Sequence, residues 1–385
     1  MADRGEVLRA AVWHLWRYCR PFYTNDMTAL SCPALRPLWP VLHYLAQGDG
    51  GLPMADGGLE EFRQPWAAAY TAAAGRSVLL SQELSLLLSA LEEAGIPVVL
   101  LKGAILAKGL YPNPALRPMG DLDILVPREE MARLGALLEA IGYAWDGHCG
   151  PDKHRGYERQ LGDVTIRMEA HWHLISEGYG LQRCHDLDIG AFWGRAVRVM
   201  VEGRPALALS PEDTLLHLCL HQASHALGYI LGYLDIHLFV HRVTIDRDLF
   251  VQRVVAARLK TAAWFALSFA CMLLGTAVPQ AVLDALRPSP YRQRLVERFV
   301  TPAWLVSSPA RALSQQDHST LSFLLKDRWR DTLRVWLWTV FLPDRPRLQY
   351  RYPWASDGLW LAWAYVLHLV RLAAYGVALV RRLLG

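Results

Sequence analysis

The chain has 385 residues, 53% hydrophobic and 20% charged, and its 40 Lys and Arg against 36 Asp and Glu leave a net charge of +4. That much apolar material builds sizeable cores and excludes a mostly disordered chain. The near-balance of charge excludes a general nucleic-acid coat. At roughly 150 residues per domain the length predicts two or three domains. The cysteines, Cys19, Cys32, Cys149, Cys184, Cys219 and Cys271, include no Cys-x-x-Cys pair. This reads as reduced usage, not a disulfide framework or a zinc ribbon. Residues 1–11 lack the apolar run of a signal peptide, so the expected location is cytoplasmic.

In chain order, residues 6–47 carry apolar residues at helical spacing, broken by Pro21, Pro33, Pro37 and Pro40, and predict two or three short helices. The glycines of 48–58 predict a loop. From Pro65 to Ala94 the stripe Ala67, Tyr70, Ala74, Leu84, Leu87, Leu88 and Leu91 predicts one long helix, ended by Gly95. The short β-branched run 96–101 predicts a buried strand, 104–110 a short helix, 111–120 a proline-rich loop and 121–126 a second strand. A helix from Pro127 to about Ile141 follows. Two hairpins come next: 157–161 with 164–173, turning at Gly162-Asp163, and 197–201 with 205–209, turning at Glu202-Gly203. Ser210-Pro-Glu-Asp213 is a helix start, and helical patterns run on to about 340. The predicted class is α/β (α+β). A helical region, 1–94, packs on the core; 95–209 forms a small mixed sheet flanked by helices; 210–343 is a mostly α-helical domain; 344–385 is a linker and a C-terminal apolar and basic helix.

The chemistry concentrates in Leu101-Lys-Gly103, Arg117 to Asp123, and Glu169-Ala-His-Trp172. Asp121 and Asp123, two apart on a strand, share a face. Neighbouring carboxylates repel and resist burial. The usual compensation is a divalent cation: Mg²⁺ takes oxygen ligands, often carboxylates with substrate phosphates, and Mn²⁺ is the alternative ion. Gly120 lets the preceding loop approach closely. Glu169 shares its strand face with Thr165, Arg167 and His171. Packed beside the Asp strand, it completes a carboxylate set for ions that activate an attacking hydroxyl and stabilise leaving pyrophosphate. Lys102 and Arg117 flank this set and would neutralise phosphate charge, and Gly103 opens a helix whose N-terminus would receive a phosphate. An Asp-x-Asp pair alone is common; its weight comes from the order strand, Lys-Gly, helix, loop, Asp-x-Asp strand.

This order resembles the nucleotidyltransferases of the polymerase-beta superfamily, where a strand ends in a Gly-Ser-type turn, a helix follows and an Asp-x-Asp strand comes next. The closer resemblance is to an uncharacterised bacterial nucleotidyltransferase family with Lys-Gly in place of Gly-Ser. Leu101-Lys102-Gly103, Leu110-Tyr111, Arg117, Asp121-Leu-Asp-Ile-Leu-Val126 and Glu169-Ala-His171-Trp172 carry it, and His221, His225 and Leu234-Asp235 extend it into the helices. The resemblance covers about residues 75–280. It implies a nucleotidyltransferase-type sheet and transfer of a nucleoside monophosphate from an NTP, ATP first, to a small-molecule or peptide acceptor, with Mg²⁺. It makes Asp121 and Asp123 metal ligands and puts Glu169 in the third carboxylate position, where Asp is more usual. Lys102 stands where the usual serine contacts a phosphate.

His217, His221 and His225 follow one helical face. They read as polar packing against the catalytic unit, with zinc binding or substrate contact as alternatives. If they line a cleft, His221, His225 and Asp235 are acceptor-side residues. His171, on the face of Glu169, reads either as a site residue on the acceptor side that touches phosphate or orients that carboxylate, or as a satisfied hydrogen-bonding residue of a half-buried strand. The stretch 357–385 is apolar apart from His368, Arg371 and Arg381-Arg382. It reads as a helix docked on the protein itself or a partner, or as an interfacial membrane helix, before a true span. The segment Arg345–Pro353 reads as a snorkelled surface, so no nucleic-acid partner is expected. Two other functions remain open: a non-catalytic binding protein that keeps the fold, and a γ-phosphate kinase using the same carboxylates.

Overall fold

Among the described residues, seven strands form one mixed sheet in the order β3-β4-β5-β2-β1-β7-β6. They are β1 (Val99–Leu100), β2 (Asp121–Leu125), β3 (Ala144–Trp145), β4 (His154–Leu161), β5 (Val164–His171), β6 (Val197–Val201) and β7 (Arg204–Ala208). The computed structural model describes residues 3–19, 33–47, 60–147, 154–175, 185–307, 315–331, 333, 345–355 and 357–384. Cys32, Cys149, Cys184 and the predicted loop 48–58 lie outside them; Cys19 and Cys219 are buried and Cys271 is partly buried.

The helices before and within the sheet region are α1 (Arg4–Cys19), α2 (Trp39–Gln47), α3 (Glu60–Ala94), α4 (Gly103–Leu110), α5 (Met131–Ala140) and α6 (Ile189–Gly194). After it come α7 (Pro211–Ser224), α8 (Ile230–Arg242), α9 (Arg247–Ala256), α10 (Lys260–Leu274), α11 (Gln280–Leu286), α12 (Pro290–Glu297), α13 (Pro302–Ser307), α14 (Gln315–Leu324), α15 (Arg345–Arg351) and α16 (Gly358–Leu384). Both predicted hairpins form with the predicted turns. Ser210 caps α7, its side chain accepting from the Asp213 N–H. The strand predicted over 96–101 is shorter. Only Val99 and Leu100 pair in ladders, antiparallel to β2 and parallel to β7. The helix predicted from Pro127 begins instead as a 3₁₀ turn, Arg128–Glu130. The edge strand β3, two exposed residues, has too little length for a period of two to show in sequence.

Strand periodicity sets where the site lies. Leu122, Ile124, Ile166, Met168 and Ala170 face one apolar cluster with Leu80–Leu91 of α3 and Met131, Leu134 and Leu138 of α5. Asp121, Asp123 and Leu125 therefore face the other way, as do Glu169 and His171. On that side Leu125 joins a second cluster, built from α1, α2, α4, α7, α8 and α10. The N-terminal helices thus share a core with helices that follow residue 209. At the centre is α8, in which every residue from Ile230 to Phe239 is buried.

That burial takes histidine with it. His237 on α8 meets the Thr276 hydroxyl at 3.1 Å, and its pKa is pushed down to about 3 by burial and then by His241. Such a histidine stays neutral in the folded chain while the unfolded chain protonates near 6.5. Its stabilising effect is complete above about pH 6.5 and is lost progressively as pH falls toward 3, at about 1.4 kcal/mol per pH unit. Thermal melts between pH 7 and pH 5 should show this loss, and His237→Gln should flatten the slope. An unchanged slope in the variant would refute the assignment.

The amphipathic helix α16 packs Ala364 against Leu348, Tyr352 and Ala355. Arg371 lies over the Tyr352 ring, 5.3 Å from its centre. Leu359, Trp360 and Trp363 are exposed. Among the described residues no helix is long and apolar enough to cross a membrane.

Candidate active site

The strand β2 pairs in parallel with β5, and the register sets Asp123 beside Glu169 and Leu125 beside His171. On the other side of β2, the chain leaves β1 at Lys102, whose backbone is held at φ 43° and ψ −120° just before α4. A non-glycine residue there costs about 1–3 kcal/mol and persists only where its surroundings over-determine it. Its ammonium donates to Asp123 Oδ1 at 2.8 Å. His171 Nε2 is 2.9 Å from the same oxygen and 3.2 Å from Glu169 Oε2. A carboxylate can only accept, so the Nε2 proton is on His171. His154, opposite His171 across the β4–β5 hairpin, places Nε2 3.8 Å from Glu169 Oε1.

These contacts separate the three carboxyl groups. Burial raises the Asp123 pKa, but Lys102 and His171 outweigh it and hold the group well below the usual carboxylate range. Burial likewise opposes the Glu169 charge, and the His171 hydrogen bond is the chief influence that brings its pKa below normal. Asp121 is pushed up to about 6, by burial first and then by Asp123 and Glu169. Three converging carboxyl groups, one of them with its ionisation resisted by burial and by the other two, make an oxygen-rich donor set. It fits a divalent cation of the Mg²⁺ kind, with Asp121, Asp123 and Glu169 as the residues that would hold it.

A model of the uncharacterised nucleotidyltransferase family matches residues 41–275 of this chain, a span that includes every one of these side chains. The chain belongs to that family. No curated protein matches it. Among solved structures, an antigenic nucleotidyltransferase-like protein from Paracoccidioides brasiliensis is similar at 17% identity. The likeness covers 54% of this chain and 92% of that one, with a TM-score of 0.38, and adds nothing to the argument.

Several family-motif residues support the site from outside it. Sequence reasoning set Arg117 beside Lys102 as a second cation for phosphate and Asp235 on the acceptor side. The structure joins them to each other instead. Arg117 Nε and Nη2 donate to the two oxygens of Asp235 at 2.8 and 2.7 Å, and the Tyr111 hydroxyl donates to Asp235 Oδ1 at 2.8 Å. All three are buried. The reason is that α8 is enclosed on all sides: a carboxylate on it needs a buried cation, and Arg117 is that cation. Gly103 is required by close approach. A Cβ there would lie 2.5 Å from an Arg117 guanidinium nitrogen and 2.6 Å from the Met119 sulfur. Since Asp235 fixes Arg117, the loop has to shift. Gly103→Ala should therefore lower stability by about 1–3 kcal/mol and loosen the 117–120 loop. Urea unfolding and limited proteolysis of that loop check this, and a neutral effect on both would refute it.

Sequence reasoning missed Arg76 and His154. Arg76, on α3, donates to the carbonyls of Met119 at 2.8 Å and Gly120 at 2.5 Å, so it pins the two residues before Asp121. Gly120 itself offers that carbonyl and has open space at its Cβ position. No motif signals Arg76, because its role depends on packing. His154 was accessible. Counting back from the turn at Gly162-Asp163 sets it opposite His171.

Of the helical histidines, His217 is buried on α7. His221 and His225 bring their rings to 4.4 Å, with Tyr229 5.4 Å from each. His221 lies within the field of Lys102 and Asp123. Burial, then Lys102 and His225, keep its pKa well below normal, so it faces the site as a neutral imidazole. Among the described residues, His154, Glu169 and His171 are the three whose His, Cys or acidic donor atoms already lie within 4.8 Å of one another, away from α7. A separate groove of about 460 Å³ is lined by Leu88, Ile96, Arg198 and Met200 among others, none of them a site residue.

Proposed function

We propose that this protein transfers a nucleoside monophosphate from an NTP, ATP first, to a hydroxyl or similar group of a small-molecule or peptide acceptor. The acceptor oxygen forms a bond to the α-phosphorus, the bond from that phosphorus to the bridging oxygen breaks, and pyrophosphate leaves with the bond's electron pair. Asp121, Asp123 and Glu169 are the ligands for Mg²⁺, which when bound supplies charge neutralisation at the triphosphate. Glu169, half-buried at the open side of the set, accepts the acceptor's proton. Lys102 is the triphosphate cation, together with the backbone N–H groups at the start of α4. Neutral His221, with the His225 ring beside it, faces the acceptor. Arg117 and Asp235 take no part in binding and hold the loop that carries Gly120 and Asp121.

The observation that supports this most is the convergence of three carboxyl groups with Lys102 on one sheet face, in a chain of a nucleotidyltransferase family. The test is pyrophosphate release from each of the four NTPs with Mg²⁺ and extracts as acceptor source, against the Asp121→Asn/Asp123→Asn double variant, with calorimetry of Mg²⁺-ATP binding alongside. Release that requires both carboxylates supports the reading. A product heavier by phosphate alone would make the protein a kinase, and absence of both NTP binding and release would make it a binding protein.

A further inference from the structure

The Mg²⁺ donor set is all oxygen, but its outer edge is not. The β4–β5 hairpin pairs His154 with His171, and the ring centres are 4.9 Å apart. Glu169 stands two residues before His171, on the same face. Its carboxylate turns one oxygen to each imidazole, Oε2 to His171 at 3.2 Å and Oε1 to His154 at 3.8 Å. One donor atom from each of the three residues lies within 4.8 Å of the others. Donors held about 2.0–2.2 Å from a metal sit roughly 3.0–3.5 Å apart in octahedral or tetrahedral geometry. The edge from His171 to Glu169 Oε2 already has this length, and that from His154 to the other oxygen, Oε1, exceeds it by a few tenths of an ångström.

His171 carries a second signal. Its side chain is 2% exposed, and its Nδ1 is buried with no hydrogen-bond partner. To ligate through Nε2 the ring must move its proton to Nδ1. That transfer gives up no hydrogen bond at Nδ1, and Asp123, which loses the Nε2–H, keeps Lys102. Glu169 and His154 are only partly buried, leaving a side open for water or a ligand.

We propose that His154, Glu169 and His171 form a second cation position, selective for a first-row transition-metal dication of the Zn²⁺ class, beside the all-oxygen position of Asp121 and Asp123. Two imidazoles and one carboxylate favour such an ion, whereas Mg²⁺ prefers oxygen and keeps its waters. Glu169 would be shared between the two positions. The inference shares Glu169 with the nucleotidyl-transfer reading but needs neither NTP nor turnover to be true.

The test uses the full chain, stripped with chelator and titrated with Co²⁺ as a coloured stand-in for Zn²⁺, with Mg²⁺ in excess. Visible absorption of nitrogen-ligated Co²⁺ should develop to one equivalent and be displaced by Zn²⁺. His154→Ala and the milder His154→Gln should each weaken Co²⁺ binding by at least about tenfold with an unchanged thermal melt, and Asp121→Asn should retain it. Co²⁺ binding that ignores both His154 variants, or none above the Mg²⁺ background, overturns the inference. Calorimetry of Mg²⁺-ATP on the same preparations keeps the two claims apart. ATP binding without a Co²⁺ site removes only this inference, and a Co²⁺ site without ATP binding removes only the nucleotidyl-transfer reading.

Discussion

Asp235→Ala is expected to destabilise the protein by about 3–5 kcal/mol, the usual cost of removing one partner from a buried ion pair. The change would strand the Arg117 guanidinium, 5% exposed, and remove the acceptor for the Tyr111 hydroxyl. Burial opposes the Arg117 charge, and Asp235 more than restores it, so its pKa lies above the ordinary guanidinium value. Removing Asp235 takes away the largest influence that offsets burial. Tyr111→Phe, which deletes one hydrogen bond and leaves the ion pair, should cost only about 1 kcal/mol. The double variant Arg117→Met/Asp235→Leu should be more stable than either single variant, because no buried charge is then left unpaired. Urea unfolding of these variants decides the matter. A single Asp235→Ala cost below about 1 kcal/mol would mean that water reaches the pair. Because the pair anchors the loop that ends in Asp121, the double variant also tests whether apolar packing can hold that loop in place.

The two aspartates of β2 should respond in opposite directions when each is changed to Asn. The Asp121 pKa, pushed up to about 6, marks a carboxylate whose charge the fold resists. Between the unfolded value near 4 and about 6 the folded chain holds a proton that the unfolded chain has lost, so this group lowers stability as pH rises through that window and by a constant amount above it. Asp121→Asn should therefore raise stability at pH 8, on the order of 1–3 kcal/mol. Asp123 is the reverse case. It is 3% exposed and accepts from Lys102 and His171. Its stabilising effect is complete above the unfolded pKa and is lost only in strong acid. Asp123→Asn should cost about 3 kcal/mol, since it leaves the Lys102 ammonium nearly buried against an amide. Nucleotidyl transfer should fall in both, by about 10²–10³-fold, if each carboxylate supplies several kcal/mol of charge stabilisation through its ion. Metal-free melts at pH 8, paired with pyrophosphate assays, would show it. Stability changes of the same sign would refute the electrostatic account. A gain in stability with a loss of activity at Asp121 is the trade expected where a carboxylate is placed to bind a cation.

Local pattern made much of this molecule readable. The alternation of β2 and β5 placed Asp121, Asp123, Glu169 and His171 on faces that the sheet then brought together, and the Ser210-Pro211 start and the two glycine turns were readable as capping and turn chemistry. These features depend on neighbours a few residues away, and the sequence carries them whatever the rest of the chain does. The strand order, which sets β5 against β2 in parallel, is a different kind of fact. So are the union of α1 and α2 with the helices after 209, the Arg76 clamp on Met119 and Gly120, and the pairing of Arg117 with Asp235 across 118 residues of chain. Each depends on which distant surfaces meet. An isolated Arg or Asp has the same chemistry on either side of the site until packing decides what it faces. By itself the sequence singled out candidates for holding a phosphate or a cation, His154 excepted. Only the tertiary structure decided that Lys102 faces the carboxylates while Arg117 is spent on Asp235, because a charge enclosed in a core takes the nearest opposite charge before it can serve a ligand.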